Sequence, residues 1–302
     1  MINTKHVFSG SLLLILLIVL AIPNSILHAQ CEGDCEQPIV FSEDGTIIAC
    51  YPSTGEGVIL VDDVASDGVA YSPSGEYIAF RSEAAGVGEA FAENLVHLPS
   101  QRPSDIWLWP VGTDDIILIA GQPENATISE AIGFEHMIER SVPIWSPDGL
   151  YLAWSAFDLD EWTYQVMVYS FEEDTIEVLL ENPPSGFQDV VFYPYPPLWG
   201  EGGIVFVQPN VVGGGDGPPS FRDVVTIFDP EDGSEIYSGV VTDNDSDSIR
   251  NWVWINDGET LALAYGDEHW EALDLESGER TLIDNPVPPS EEEPDLGLCS
   301  TE

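Results

Sequence analysis

Residues 142–154 read Val142-Pro143-Ile144-Trp145-Ser146-Pro147-Asp148-Gly149-Leu150-Tyr151-Leu152-Ala153-Trp154. Ile144 and Trp145 end one apolar strand, and residues 150–154 begin the next. Between them lies a four-residue turn, because the proline ring presets φ and the glycine tolerates a positive φ. The stretch therefore predicts a β-hairpin.

This pattern of a polar turn followed by an apolar strand recurs along the chain. The copies are Ser42-Glu43-Asp44-Gly45 before residues 47–50, Ser72-Pro73-Ser74-Gly75 before residues 77–80, Asn256-Asp257-Gly258 before residues 261–263 and, weaker and one residue shorter, Gly200-Glu201-Gly202 before residues 204–206. With the copy at Gly149 they predict five repeats of one structural unit.

A second apolar strand pair, also joined by a tight turn, follows the hairpin in the later copies. These pairs are 106–109 with 116–119, 166–169 with 176–179, 225–228 with 235–237 and 270–273 with 280–283. Two hairpins make one four-stranded antiparallel blade, and no long helical period interrupts the series. The sequence therefore predicts an all-β β-propeller of five blades, with six as the alternative.

The motif also resembles that of a known family. Ile144-Trp145-Ser146-Pro147-Asp148-Gly149, followed by Leu152-Ala153-Trp154 and then by an Ile-Trp-Leu or Val-Met-Val strand, is similar to the repeat of TolB-like β-propellers. The resemblance covers most of residues 38–285. The copies at Ser72 and Ser146 match closely, whereas those at Gly200 and Asn256 lack the Ser-Pro pair. The resemblance implies a fold, and it implies no partner.

The chain divides into three parts. Residues 1–29 are expected to be a signal peptide, because the apolar run 12–22 follows a single lysine and a small residue precedes Gln30. That run is too short to span a bilayer, and Cys31 lacks the preceding residues of a lipoprotein signal, so we expect a secreted chain with no membrane insertion after cleavage. Residues 30–285 form the propeller, and residues 286–302 are a Pro- and Glu-rich tail.

Two intervals between copies depart from ordinary repeat length. Gly45 and Gly75 are closer together than the ~40–50 residues of ordinary propeller repeats, so the first blade is expected to lack its outer strand. Either residues 37–41 or the tail would then supply that strand. The longer interval that follows holds the insertions 83–104 and 121–141, in which residues 89–98 and 128–140 predict short helices.

The charge of the chain excludes several classes of partner. The sequence has 54 acidic residues against seven basic ones and a net charge of −47 at pH 7, and its single lysine, Lys5, lies in the predicted signal peptide. A field of this sign repels phosphate backbones and anionic membranes. We therefore expect a soluble monomer that binds no nucleic acid.

Antiparallel strand order predicts two unlike faces. The tight turns join strand one to two and three to four, and they lie on a turn face. The long connections 83–104, 121–141, 155–163, 181–197, 207–222 and 241–251 lie on the opposite, long-loop face, where binding residues are expected. Our candidates for ligand or partner binding are Phe91, His97, Phe134, His136, Trp162, Phe187, Tyr193, Tyr195 and Phe221. The alternative is that single aromatics pack their own loops onto the blades.

One acidic loop has the oxygen spacing of a calcium site. Asp243, Asp245 and Asp247 alternate along the loop, but Ser248 and Trp254 stand where an EF-hand has glycine and glutamate. The alternative is a solvated acidic loop, as is usual for runs of like charge. No other cofactor is predicted.

Catalytic signatures are sparse. The sequence has no Gly-x-Ser-x-Gly, and the three histidines beyond the signal peptide are scattered. We therefore predict a secreted, non-catalytic binding or scaffold protein that recognises a protein or glycan on its long-loop face. The alternatives are a carbohydrate-active hydrolase with paired carboxylates in the central pocket, and a mainly structural wall or envelope protein.

The four cysteines generate a first prediction. Cys31, Cys35, Cys50 and Cys299 are an even number in a secreted chain, which indicates two disulfides with three pairings open. We expect Cys299 to pair with one of the other three and to hold the tail against the first blade. A loop of about 250 residues closed this way contributes about 4–5 kcal/mol in the chain-entropy model. Peptide mapping without reduction checks it, and a free Cys299 thiol would contradict it.

Overall fold

The structure is a computed structural model that describes most of the repeats. The described residues are 39–43, 46–51, 56–61, 68–92, 102–113, 115–129, 133–161, 163–182, 194–212, 220–230, 232–241, 249–256, 258–265 and 269–286. The predicted signal peptide and most of the predicted tail lie outside them. No helix among these residues has the length and apolar character needed to cross a membrane.

The described residues form five antiparallel sheets and one two-stranded ribbon. Sheet one contains β1 (Ile39–Glu43), β2 (Thr46–Tyr51) and β3 (Glu56–Val61). Sheet two contains β4 (Val69–Tyr71), β5 (Tyr77–Glu83), β6 (Ser104–Pro110) and β7 (Ile117–Ala120), with helix α1 (Val87–Ala92) between β5 and β6. The ribbon is β8 (Thr127–Ser129) with β9 (Gly133–Glu135).

Sheets three to five continue the series. Sheet three contains β10 (Ile138–Arg140), β11 (Ile144–Trp145), β12 (Tyr151–Asp158), β13 (Thr163–Ser170) and β14 (Thr175–Asn182). Sheet four contains β15 (Leu198–Gly200), β16 (Gly203–Val212), β17 (Ser220–Phe228) and β18 (Glu235–Val240), and sheet five contains β19 (Ile249–Ile255), β20 (Thr260–Tyr265), β21 (His269–Leu273) and β22 (Arg280–Ile283). The prediction of an all-β fold built from four-stranded antiparallel sheets is confirmed.

One register unites the five sheets. In each, an aromatic residue near the end of the first strand pairs with an aliphatic residue of the second: Phe41 with Ile48, Tyr71 with Ile78, Trp145 with Leu152, Trp199 with Ile204 and Trp254 with Leu261. The predicted turn lies between the two partners. The turn in sheet four is two residues shorter than the others, rather than one as the glycine positions predicted.

Successive sheets are joined by four apolar clusters. Ala49, Ile78, Phe80 and Trp109 lie between sheets one and two, and a second cluster around Trp145 and Trp154 lies between sheets two and three. Two more join sheets three and four, and four and five. The aliphatic register partners Ile78, Leu152, Ile204 and Leu261 are all essentially inaccessible to solvent. Each such side chain contributes about 1.5–3 kcal/mol through burial.

The first-strand tryptophans reach back to the preceding sheet. Trp145 Nε1–H donates to the carbonyl of Ala70 at 2.9 Å. Trp254 covers the short turn of sheet four so closely that a Cβ at Gly200 would lie 2.2 Å from Trp254 Cδ1. The glycine in that turn is therefore required by close approach of a ring.

Two predictions about the first sheet can be compared with the structure. Sheet one has three strands among the described residues, as expected for a blade without its outer strand. Two segments were suggested as the source of the missing outer strand. The suggestion of residues 37–41 is wrong, because β1 occupies Ile39–Glu43 and lies at the edge opposite β3. The other segment, the tail, lies outside the described residues beyond Pro286.

Of the two predicted helices, one is confirmed in part and the other is wrong. Helix α1 confirms the first of them over residues 89–92, although it begins at Val87. The helix predicted at 128–140 is wrong, because these residues form part of β8, then β9 and β10. Gly133 and His136 have positive φ values, which interrupt a helix, and β10 pairs with β12 from Ile138↔Asp158 to Arg140↔Ala156. Residues 127–129 and 133–135 pair with each other as a local ribbon, and only residues 138–140 pair with a more distant strand.

The close approach of Trp254 predicts that Gly200→Ala destabilises the protein. The added methyl group overlaps the indole, so we expect the free energy of unfolding to fall by about 1–3 kcal/mol. The control is Gly88→Ala in α1, where the new Cβ would meet only Glu83 Oε2 at 3.6 Å and where alanine favours the helix. Chemical denaturation of both variants measures the difference. Equal stabilities would contradict the packing of Trp254 described above.

Candidate functional site

The long connections of sheets two and three are packed onto the core between sheets three and four. Val87 and Ala90 of α1 are buried in that cluster. Phe91 meets Phe134 edge to face, with ring centroids 5.7 Å apart, and Arg102 lies 4.2 Å above the Phe91 ring. Two of the candidate aromatics therefore hold loops in place, as the alternative interpretation of these residues expected.

A buried arginine, Arg140, also holds these loops through hydrogen bonds. Arg140 Nη2 donates to the Gly121 carbonyl at 2.8 Å and Nη1 to the Ser104 carbonyl. The Arg140 backbone N–H donates to Ser104 Oγ at 2.9 Å. Burial lowers the pKa of Arg140 to about 10, while the charge of Asp105 acts in the opposite direction, so the guanidinium stays charged at neutral pH. The long-loop face is thus a fixed surface near sheets two and three.

His136 lies at the solvent edge of this surface. Its backbone is in the left-handed region, and its N–H donates to Asp160 Oδ2 at 2.9 Å. The imidazole Nδ1 contacts the same carboxylate oxygen. Asp160 belongs to the β12–β13 connection, so this pair joins two loops and leaves the imidazole exposed.

Tyr195 lies where sheets three, four and five meet. Its carbonyl accepts a hydrogen bond from Ser155 Oγ of β12, and its ring meets Trp252 of β19 edge to face at 5.8 Å. The Tyr195 side chain is 38% exposed. Burial and the charge of Asp223 raise the pKa of Tyr195, while Arg250 opposes the increase.

Two buried carboxylates belong to the same end of the sheets. Asp223 of β17 accepts the Ile249 N–H on Oδ2 at 2.7 Å, and burial raises its pKa. Glu139 of β10 is fully buried, and its charge adds to the burial that raises the pKa of Tyr164 above its usual range. Sequence reasoning missed both acids. The available signal was an acid next to an arginine within a strand, Arg140 beside Glu139 and Arg222 beside Asp223, which is weak in so acidic a chain.

The turn face holds a feature that the sequence did not indicate. A cavity of about 280 Å³ opens between sheets three and four. Tyr151 and Trp199 lie against it with nearly parallel rings whose centroids are 5.9 Å apart. Its acidic lining residues are Glu172, Glu173, Glu177 and Asp232.

Several candidate residues lie outside the described part of the chain. They are His97, Trp162, Phe187, Tyr193, the proposed calcium ligands Asp243, Asp245 and Asp247, and the cysteines Cys31, Cys35 and Cys299. Phe221 belongs to β17 and Cys50 to β2, but their side chains are not among those described. Among the residues that are described, no group of three or more His, Cys, Asp or Glu side chains is placed to hold a metal ion.

Comparison with known proteins places the chain by fold alone. No family model and no curated protein matches the sequence. An oligogalacturonate lyase in complex with manganese is similar in structure, with 11% identity and a TM-score of 0.50 over 87% of this chain and 66% of that chain. An acylaminoacyl peptidase shows 13% identity and a TM-score of 0.47 over 74% and 33% of the two chains.

TolB from Acinetobacter baumannii is also similar, with 12% identity and a TM-score of 0.41 over 79% of this chain and 48% of that chain. At these identities, structural similarity shows a fold and no activity. The chain also spans less than two thirds of the length of each of these three chains. Together with the sheets, the similarity to the lyase confirms the β-propeller fold, whereas the blade number of the whole chain stays a prediction.

The raised pKa of Asp223 generates a pH prediction. Burial penalises the charged carboxylate, so this group stabilises the fold most below its unfolded pKa of ~3.9, and the contribution is lost as pH rises through the higher folded pKa. Asp223→Asn keeps an oxygen for the Ile249 N–H and removes the charge. We expect the variant to melt above wild type at pH ~7 and the advantage to shrink toward pH ~4.

Asp274→Asn is the control with the opposite sign. Hydrogen bonds from Ser277 lower the pKa of the exposed Asp274, so its contribution is present at neutral pH and is lost as pH falls. Thermal unfolding of both variants and wild type across this pH range, at constant salt, gives the comparison. A difference for Asp223→Asn that does not vary with pH would mean that packing, rather than ionisation, separates it from wild type.

Proposed function

We propose that this chain is a secreted, monomeric, non-catalytic β-propeller of the TolB-like type, with five blades, that binds a protein or glycan partner on its long-loop face. The observation that carries the proposal is the Tyr195–Trp252 pair. Tyr195 belongs to the connection between sheets three and four, where Ser155 of sheet three donates to its carbonyl, and its exposed ring meets Trp252 of sheet five. A partner that contacts the pair therefore meets the connection between sheets three and four and the first strand of sheet five at once.

Other features of the long-loop face also favour binding. Loops that are already held by Arg140 and by the Phe91–Phe134 contact lose little conformational entropy when a partner docks. Tyrosine and tryptophan are the side chains that most often dominate binding energy in interfaces. Arg250 is exposed next to them in β19, so the site combines ring surfaces with one cation in an otherwise acidic chain.

A second candidate function rests on the buried carboxylates. Glu139 and Asp223 belong to this end of the sheets, and the raised pKa of Asp223 suits a group that gives a proton to a glycosidic oxygen. We rank it second because Asp223 already accepts the Ile249 N–H, which holds it as part of the β17–β19 contact.

Binding to an array of glycans and protein ligands tests the first proposal. We expect Tyr195→Ala to weaken capture of the recognised ligand by about 10-fold or more, because it removes a ring from the pair. The bond between Ser155 and the Tyr195 carbonyl involves the backbone, so the substitution leaves it in place. Tyr195→Phe keeps the ring and should retain most of the affinity.

Ile236→Ala is the matched surface control. Ile236 is an exposed apolar residue of β18, and its truncation should leave capture unchanged. If Tyr195→Ala binds the ligand as well as wild type does, the binding site does not include the Tyr195–Trp252 pair. Turnover of any glycoside that disappears in Asp223→Asn would instead support the hydrolase.

A further inference from the structure

The cavity on the turn face has two half-buried rings as its base. Tyr151 is the first residue of β12, and Trp199 belongs to the first strand of sheet four. The rings are inclined by 24° to each other. Val168, Leu179 and Ile204 complete the apolar lining. The opening faces solvent between the β13–β14 and β17–β18 turns, whose residues Glu173 and Asp232 line it.

The shared register shows why this cavity exists. In sheets two to five, the aliphatic partner in the second strand pairs onward with a residue of the third strand: Trp109, Tyr169, Phe228 and Leu273, respectively. Two positions later stand Val111, Phe171, Pro230 and Leu275. These four residues therefore occupy equivalent places at the start of the turn between third and fourth strands.

Three of these residues pack into the interface with the preceding sheet. Val111 is buried in the cluster between sheets one and two, and Leu275 packs against the cluster between four and five. Phe171 stacks on Trp145 with centroids 5.2 Å apart and also contacts Tyr77 at 6.0 Å. Trp145 and Tyr77 are the counterparts of Trp199 and Tyr151. A side chain thus fills this place between sheets two and three.

Between sheets three and four the same place is open. Pro230 is exposed and lines the cavity, where Phe171 closes the equivalent space one sheet earlier. The cavity therefore arises from a substitution at a repeated packing position, and the stacked rings of Tyr151 and Trp199 both line it.

The charge of the lining determines what that ligand is. Glu172, Glu173, Glu177 and Asp232 are exposed carboxylates, and neither lysine nor arginine is among the residues that line the cavity. The Ser234 side chain and the Ser234 N–H, which donates to Asp232 Oδ1 at 2.9 Å, lower the pKa of Asp232, so this carboxylate is charged at neutral pH. Aromatic faces attract cations through the ring quadrupole, and nearby carboxylates add to that attraction.

We propose that this cavity binds an alkylammonium group, either the side chain of a lysine in a partner peptide or a free quaternary ammonium compound. The site is separate from the long-loop face, so the proposal stands independently of the function proposed above. A small hydrated metal ion would use the carboxylates and leave the rings unused, whereas an alkylammonium group uses both.

Titration calorimetry with two small probes tests the proposal. Tetramethylammonium and Nα-acetyl-lysine amide are titrated into the full chain, each against sodium chloride of equal ionic strength. We expect saturable binding of at least one probe at one site. Tighter binding of the lysine derivative would identify a peptide as the source, and tighter binding of tetramethylammonium a quaternary amine.

Two variants locate the binding. Pro230→Phe supplies the ring that Phe171 provides one sheet earlier and leaves every carboxylate in place, so it should weaken binding by about 10-fold or more. Trp199→Leu removes one of the two rings and keeps an apolar side chain, so it should also weaken binding. It replaces Pro230→Phe as the test if that variant does not fold. Glu177→Gln should weaken binding by about 3-fold.

Glu276→Gln is the charge control. Glu276 is an exposed acid of the β21–β22 turn, on the same face and outside the cavity, so its neutralisation should not change binding. Equal affinity in wild type, Pro230→Phe and Trp199→Leu overturns the proposal. So does the absence of any saturable signal, or a loss in Glu276→Gln as large as that in Glu177→Gln, since either result means that only diffuse charge attracts the cations.

Discussion

The contact on which the rest of the structure depends is made by the aromatic ring at the end of the first strand in sheets three to five. Trp145 donates to the Ala70 carbonyl, Trp199 stacks on Tyr151, and Trp254 covers Gly200, each reaching from its own sheet to the one before. A single sheet cannot bury both of its faces, so repeated units gain stability only by stacking. The motif that recurs in the sequence places this ring directly before the turn. The same short motif therefore specifies both the hairpin and the contact between sheets.

That arrangement also explains the unequal faces of the molecule. The turn after the ring must stay short, because the next sheet packs over it, as Trp254 does over Gly200. The opposite connections meet no such constraint and carry α1, the β8–β9 ribbon and β10.

These long connections are held by the few arginines of the chain: Arg81 donates to the Arg140 carbonyl, Arg102 pairs with Glu83, and Arg140 is buried. Since these arginines act within the fold, the acids of the surface have few basic neighbours, and external cations are attracted to them.

Local signals in the sequence predicted the sheets well and the site only in part. Hairpins depend on a turn and its flanking strands, which are contiguous, so the pattern around Ser146 was sufficient. The helix predicted over residues 128–140 is wrong at its end because β10 pairs with β12, which follows only after β11, and no local period indicates such pairing. Its beginning pairs locally instead, as the β8–β9 ribbon. Phe91 and Phe134 were correctly placed on long loops, yet their contact with each other required the structure. Tyr151 and Trp199 are far apart in sequence, and the meaning of Pro230 is visible only once the register aligns it with Phe171.

The repeated register therefore contains two kinds of equivalent position, one that holds the sheets together and one that can vary. The aliphatic partners of the first-strand rings are buried in sheets two to five, and replacing them would disturb the packing between sheets. The position occupied by Val111, Phe171, Pro230 and Leu275 differs in size from sheet to sheet while the strand pairing around it is kept. A residue there can close or open the space beside a tryptophan without altering the ladder of hydrogen bonds. Because sheet pairing and aromatic stacking already hold the blades together, this chain can leave one such space open at little cost to its fold.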